Sequence, residues 1–338
     1  MALLEIDDLH VSFKTVDGVV RAVDGVSLSL DSRETLGIVG ESGSGKSVTA
    51  QTIIGLTRFP NATITGRIRF DGRDLLSAAT DDLRAIRGAR IAMIFQDPLS
   101  SLHPFFRVGQ QIVEAIRTHE DVSRDTARKR TVEALRSVGI PSPEERFSSF
   151  PHEMSGGMRQ RAMIAMALAL QPDILIADEP TTALDVTVQA QVLELIQALR
   201  DDFGTAVILI THDLGVVSQM ADDVAVMYAG RVLEYASREE LFAAPEHPYT
   251  WGLLQSIPRL DAPRSERLNP IAGSPPSLIR VPQGCTFHPR CPYTPPPALE
   301  VEPELAESSS GHLVRCHLPV EERKRLWQSL QQEHPALR

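Results

Sequence analysis

Eight residues constrain this chain more than any others: Gly40-Glu41-Ser42-Gly43-Ser44-Gly45-Lys46-Ser47, set between a short apolar run (Leu36 to Val39) and a helix-like segment (Val48 to Leu56). Glycines at this spacing let the backbone turn tightly, so that successive N–H groups and the start of the following helix face one anion. Lys46 supplies a point charge and Ser47 a hydroxyl suited to Mg2+, and the whole reads as a phosphate-binding loop. A strand, this loop and a helix in succession imply an α/β fold with chemistry at the carboxyl ends of its strands.

The remaining pattern extends that fold. Residues 2 to 40 alternate as strands, with Asp17-Gly18 a hairpin signal, and Ile64 to Phe70 adds another strand closed by the Asp71-Gly72 turn. Apolar runs at Ile91–Phe95, Ile174–Ala177 and Ala206–Ile210 each end in polar residues: Gln96-Asp97-Pro98, Asp178-Glu179-Pro180 and Thr211-His212-Asp213. From Val108 to about Gly139 apolar residues recur at three and four, predicting helices, and Pro141 to Pro151 reads as a loop. Further helices are expected over Ala162–Leu170 and Val188–Leu199. Beyond Leu241 prolines crowd the chain, with Pro295-Pro296-Pro297 in succession. Such a density of breakers predicts a loop-rich appended domain without long regular elements.

Charge and apolarity narrow the function classes. With 44 acidic against 34 basic residues, a net charge of -10 argues against a protein built to grip a nucleic-acid backbone. The N-terminus lacks the basic and apolar regions of a secretory signal, and the longest apolar stretch, near Ala162 to Leu170, is about half the ~20 residues that cross a bilayer. All three cysteines, Cys285, Cys291 and Cys316, lie in the last sixth of the chain. In a reducing compartment such clustering points to metal before disulfide.

Taken in order, the phosphate loop, Gln96, Ser155-Gly156-Gly157, Asp178-Glu179, Ala183-Leu184-Asp185 and His212 resemble the ATPase subunit of an ABC transporter. The phrases Ile94 to Pro98, Ser155 to Arg161 and Asp178 to Asp185, with His247-Pro248-Tyr249-Thr250 and the Cys285 to Cys291 segment, resemble its oligopeptide/dipeptide importer branch. The resemblance implies a P-loop NTPase cassette: a mixed sheet with antiparallel N-terminal strands, an ATP-binding core over 1–96 and 158–240, a helical signature subdomain over 97–157, and a small loop-rich C-terminal domain over 241–338.

It also implies roles. ATP and Mg2+ are the expected ligands, with Gly40 to Ser47, Phe13 (stacked on adenine), Ser155, Gly156, Gly157 and Asp185 binding nucleotide, and Ser47, Gln96 and Asp178 serving Mg2+. Phosphoryl transfer needs charge neutralisation and a positioned water, so Glu179 is the expected general base or water-orienting group. Gln96 resembles the sensor of Mg2+ and water, and His212 the contact to the γ-phosphate. Each has a duller reading taken alone: Asp178-Glu179 or Ser155-Gly156 as helix caps, Phe13 as core, His212 as a structural histidine. Ser155–Gly157 at a helix start would make a second phosphate cradle, and the resemblance implies that it serves the nucleotide of a partner subunit.

Expected partners are a paralogous ATPase subunit, two transmembrane permease subunits and an extracytoplasmic solute-binding protein, with the chain peripheral on the cytoplasmic face of the plasma membrane. Some family members hold an iron-sulfur cluster on four cysteines. Here Ala298 stands at the third position, which leaves Cys285, Cys291 and Cys316, with His288, His312 and His317 nearby. A cluster, zinc and a metal-free fold all stay open. The C-terminal domain is expected to lie away from the ATP. Two other readings, a soluble ABC ATPase acting on nucleic acid or ribosomes and a regulatory module that binds ATP without cleaving it, fit less well: duplicated cassettes and long coiled-coil insertions are missing from the sequence, and Glu179 is intact.

Overall fold

The computed structural model describes residues 2–96, 101–181, 186–256, 271–309 and 311–333. The chain forms two compact units. One comprises Asp31–Glu34 and Ser77–Ile210, and the other comprises Ala2–Leu30, Thr35–Leu76 and the chain from Thr211 onward.

In the first unit the strand Ile174–Asp178 pairs in parallel with Ile91–Ile94 on one side and with Ala206–Thr211 on the other. Every residue of Ile174–Asp178 is buried, which accounts for a continuous apolar run in place of alternation. Around this lie the helices Val108–His119, Arg124–Ser137 and Gly156–Leu168. Their buried residues, Val108, Ile112 and Ile116 on one and Ala127, Thr131 and Leu135 on the next, recur at the spacing that predicted helices. Ser123 caps the second helix by accepting the Thr126 N–H at 3.1 Å. Gly109 lets the Phe147 ring close on the first helix, since a Cβ there would sit 2.2 Å from it. The loop expected between Pro141 and Pro151 holds one short helix, Pro143–Arg146, because Pro143 occupies the first helical position, where a missing N–H costs nothing.

The second unit holds an antiparallel sheet in the order Gly18–Leu30, Leu4–Thr15, Ala62–Phe70, Arg73–Asp74. Thr15 pairs with Gly18 at the hairpin the sequence signalled. Its other strands run Thr35–Val39 beside Asp223–Tyr228 in parallel, then Arg231–Ser237, His312–Val314 and Ala306–Ser309 antiparallel.

The C-terminal region departs from expectation. It is loop-rich, yet it contains the helices Pro248–Gln255 and Val320–Glu333. The inference that breakers forbid long regular elements is corrected: no proline lies between Pro319 and Pro335, and that proline-free stretch is free to form fourteen residues of helix, Val320–Glu333. Trp251, Tyr249, Phe287, Cys285, Ala298 and Trp327 share one apolar cluster with Val39, Val226 and Tyr228, so the C-terminal region and the strand that leads into the phosphate loop have a common core. Trp251 is 1% exposed, stacks with Trp327 at 6.3 Å and donates its Nε1–H to the Pro245 carbonyl at 2.8 Å.

Buried Glu234 ties the same region together. It accepts the Glu246 N–H at 2.5 Å, the His247 N–H at 3.2 Å and the Thr250 hydroxyl, and pairs with His312 Nε2 at 2.8 Å. A carboxylate without exposure requires such partners.

Trp251→Ala should lower the unfolding free energy by about 3–5 kcal/mol, the range for a buried aromatic truncated to Ala. Denaturant titration checks this; a change within experimental error would show that this cluster does not support the fold.

Candidate functional site

The phosphate loop follows the fully buried strand Thr35–Val39 and ends in the helix Lys46–Ile53. Two of its glycines are required by close approach. A Cβ on Gly40 would lie 2.1 Å from the Met227 carbonyl oxygen, and one on Gly45 would lie 2.3 Å from that of Ala22. Gly43 has φ +78 with open space around the absent Cβ, so its glycine serves the backbone conformation and leaves the concave face clear. Gly45 is the N-cap of this helix, at φ +102 and with no side chain to cover the helix start. Lys46 is 5% exposed; its ammonium donates to the carbonyls of Gly40 at 2.6 Å and Glu41 at 3.0 Å, with Ser44 Oγ at 3.4 Å. A buried cation held by carbonyl dipoles inside a glycine loop fits polyphosphate, and Ser47, in the first turn of the helix, is half-buried.

Glu41 is held from the C-terminal region. Its carboxylate takes a two-pronged ion pair from Arg290, at 2.5 and 3.1 Å, and its N–H donates to the Tyr249 hydroxyl at 2.9 Å. Burial raises the pKa of Tyr249 and keeps the phenol neutral. These contacts correct the expectation that the C-terminal domain lies away from the nucleotide loop. In the same unit Phe13 is half-buried on the strand Leu4–Thr15. His212 is exposed immediately after the strand Ala206–Thr211, where Asp213 caps the helix Leu214–Met220 by accepting the Gly215 N–H at 2.8 Å.

The first unit assembles the carboxylate chemistry. Asp178, 3% exposed, ends its strand. Glu179 follows with φ +49, a left-handed conformation that a non-glycine residue adopts at a cost. Its N–H donates to the Ile210 carbonyl at 2.8 Å, and its carboxylate accepts Gln96 Nε2–H at 2.7 Å. Two residues far apart in sequence thus meet at strand ends, with an amide donor orienting a carboxylate. Gln160, which sequence reasoning quoted without a role, is 2% exposed and donates to the Pro180 carbonyl at 2.7 Å, joining the helix Gly156–Leu168 to the turn after Glu179. Ser155 caps that helix by accepting the Met158 N–H at 3.3 Å, while Ser155 and Gly156 are exposed. A Cβ on Gly156 would meet nothing within 4 Å. Asp97-Pro98 and Ala183-Leu184-Asp185 lie outside the described residues.

The cysteines do not fit the cluster reading. Among the described residues no group of three or more His, Cys, Asp or Glu is arranged to hold a metal ion. Cys285 is buried in the apolar cluster and Cys291 packs against it. Burial pushes the Cys285 thiol up to about 12 and the Cys316 thiol up to about 11, and raises Cys291 as well. Ala298, where a fourth thiolate would stand, is itself buried, and its carbonyl accepts the Cys285 N–H at 2.9 Å. Cys285 and Cys291 serve here as packing groups in the apolar cluster with Phe287 and Trp251.

Comparison with known proteins agrees with this geometry. A family model described as ABC transporter matches residues 23–182, and one described as oligopeptide/dipeptide transporter, C-terminal region, matches residues 233–296. The chain is 52% identical over 317 residues to the oligopeptide transport ATP-binding protein OppD of Bacillus subtilis (strain 168), covering 94% of this chain and 88% of that one. It is 53% identical over 317 residues to the dipeptide transport ATP-binding protein DppD of the same organism, covering 94% of each. Among solved structures, a dimeric ATP-binding cassette in a post-hydrolysis state, bound to ADP and Pi, aligns with TM-score 0.63 at 26% identity, over 70% of this chain and 98% of that one.

The thiol environment predicts unreactive cysteines. Moving a thiol from 9.0 to about 12 lowers the thiolate fraction at pH 8 about a thousandfold, so alkylation of Cys285 in the folded protein should run at least ~100-fold slower than in denaturant. Mass spectrometry after timed labelling checks this, and equal rates in the two states would contradict it.

Proposed function

We propose, from the premise that this chain belongs to the ABC transporter family in its oligopeptide/dipeptide branch, that it is the ATPase subunit powering peptide uptake through membrane permease subunits. The observation that carries the reading is Glu179 held by Gln96 at a strand end, in a chain whose glycine loop buries Lys46. ATP, when bound, supplies the phosphoryl group that water attacks. The loop N–H groups and Lys46 bind its β- and γ-phosphates, and Ser47, Asp178 and Gln96 are the residues we assign to Mg2+. Glu179 orients the water and takes its proton, Gln96 fixes that carboxylate, and His212 contacts the γ-phosphate. Phe13 stacks on the adenine.

The Ser155-Gly156-Gly157 start of a thirteen-residue helix, exposed at Ser155 and Gly156, presents the positive end of the helix dipole. We assign it, with Asp185, to the nucleotide interface with a second ATPase subunit, and the dimeric cassettes among similar structures support that reading. The functional division we adopt is a core over 1–96 and 158–240, a helical signature subdomain over 97–157 and a C-terminal region over 241–338. No helix among the described residues is long and apolar enough to cross a membrane. The transport path therefore belongs to partners: two permease subunits, a paralogous ATPase and an extracytoplasmic solute-binding protein, with this chain peripheral on the cytoplasmic face. The net charge of -10 disfavours action on nucleic acid or ribosomes.

Glu179→Gln keeps the hydrogen bond to Gln96 geometrically available but removes the proton acceptor. ATP affinity should persist while turnover by the assembled complex falls at least ~100-fold. Steady-state phosphate release decides it, and undiminished hydrolysis would overturn the assignment.

A further inference from the structure

An acidic residue inside a polyphosphate cradle is an electrostatic liability, and this chain resolves it from 249 residues away. Arg290 sits in the short turn His288–Arg290, with its side chain 4% exposed. Its guanidinium grips both oxygens of Glu41, at 2.5 and 3.1 Å, and spends its other donors on the carbonyls of Ala272 at 2.9 Å and Ile271 at 3.2 Å. The Tyr228 ring lies 5.7 Å from the guanidinium carbon. Tyr249, fully buried, holds the Glu41 N–H. The carbonyl of that same residue accepts from Lys46 at 3.0 Å, so the clamp on Glu41 is one hydrogen bond from the phosphate-binding ammonium.

The C-terminal region also meets the N-terminal hairpin. Leu278 accepts the Arg21 N–H at 3.0 Å, and Ile279 fills the space a Cβ on Gly18 would take, 2.9 Å away. That hairpin carries Phe13, so C-terminal residues brace both the loop for the phosphates and the strand pair for the base.

We infer that Arg290 is a positioning residue for ATP binding: by neutralising and fixing Glu41 it lets the C-terminal region set the nucleotide affinity of this subunit. The inference rests on the reading that ATP binds at the Lys46 loop. Breaking a buried ion pair leaves a charge uncompensated. Here the orphan would be the part-buried carboxylate of Glu41, 28% exposed, on the residue whose own carbonyl accepts from Lys46, and it would repel phosphates bound at that loop. Arg290 touches neither substrate nor water in this account, so its effect belongs in affinity and not in the chemical step.

The test is a double-mutant cycle read by MgATP binding to the full-length subunit and by KM against kcat in the assembled complex. Arg290→Met should weaken ATP binding at least ~10-fold and raise KM, with kcat within about 2-fold. Adding Glu41→Gln should return affinity to within about 3-fold of wild type, because the repelling charge is gone. Arg290→Lys, which keeps the charge but loses the fork, should fall between. If Arg290→Met fails to fold, Arg290→Lys still decides: ATP affinity weakened by between about 2- and 10-fold supports the inference, and affinity equal to wild type overturns it. Unchanged ATP affinity in a folded Arg290→Met also overturns it. Lys46→Ala is the control for the underlying reading. If that variant binds ATP normally, the loop assignment fails, whereas loss of binding there with no effect at Arg290 refutes only the clamp.

Discussion

Close backbone contact around the phosphate loop is the constraint on which the second unit depends. The loop can cradle an anion only if its backbone holds one tight path, and that path is imposed by neighbours. The Met227 carbonyl presses where a Cβ of Gly40 would be, and the Ala22 carbonyl where one of Gly45 would be. The Gly230 N–H donates to the Ser44 carbonyl at 2.9 Å, and the Asp24 N–H to the Gly230 carbonyl at 2.8 Å. Strand Gly18–Leu30 and the turn after Asp223–Tyr228 therefore hold the loop between them. With the backbone so fixed, Lys46 finds the Gly40 and Glu41 carbonyls on its own loop, the hydrogen-bond partners that a buried amine requires.

The first unit spends strain in a comparable way. Glu179 sits at φ +49 directly after a fully buried strand. Backbone hydrogen bonding to Ile210, the Gln96 amide on its carboxylate and the Gln160 tether on Pro180 together over-determine that position. A carboxylate held off its relaxed backbone by three independent contacts is pre-organised, which is what a group that orients water requires.

Much of this was legible from residues alone. Glycine spacing, polar residues at the ends of apolar runs and three-and-four periodicity located the loop, Gln96, Asp178, Glu179 and the helices within a few residues, because each depends on local chain properties. What escaped depends on contacts between distant positions. Nothing near Glu41 or Arg290 announces a pair separated by 249 residues, although Arg290 lay inside the segment already noted for its cysteines. Proline density pointed to loops but could not exclude the helix Pro248–Gln255, which carries its proline at the first helical position, or the helix Val320–Glu333 in a stretch free of proline. The cysteines invited a metal reading because clustering in sequence is visible and burial is not; in the fold their thiols are packing groups with pKa values raised by desolvation.

The central claim is that ATP turnover at this loop drives peptide movement through partner subunits. Reconstitution of the complete complex in proteoliposomes, with labelled peptide and the solute-binding protein on one side and MgATP on the other, tests it most directly. The account predicts peptide accumulation that tracks ATP consumed and disappears when the subunit carries Lys46→Ala. Accumulation that persists with Lys46→Ala, or ATP consumption that never moves peptide, would contradict it.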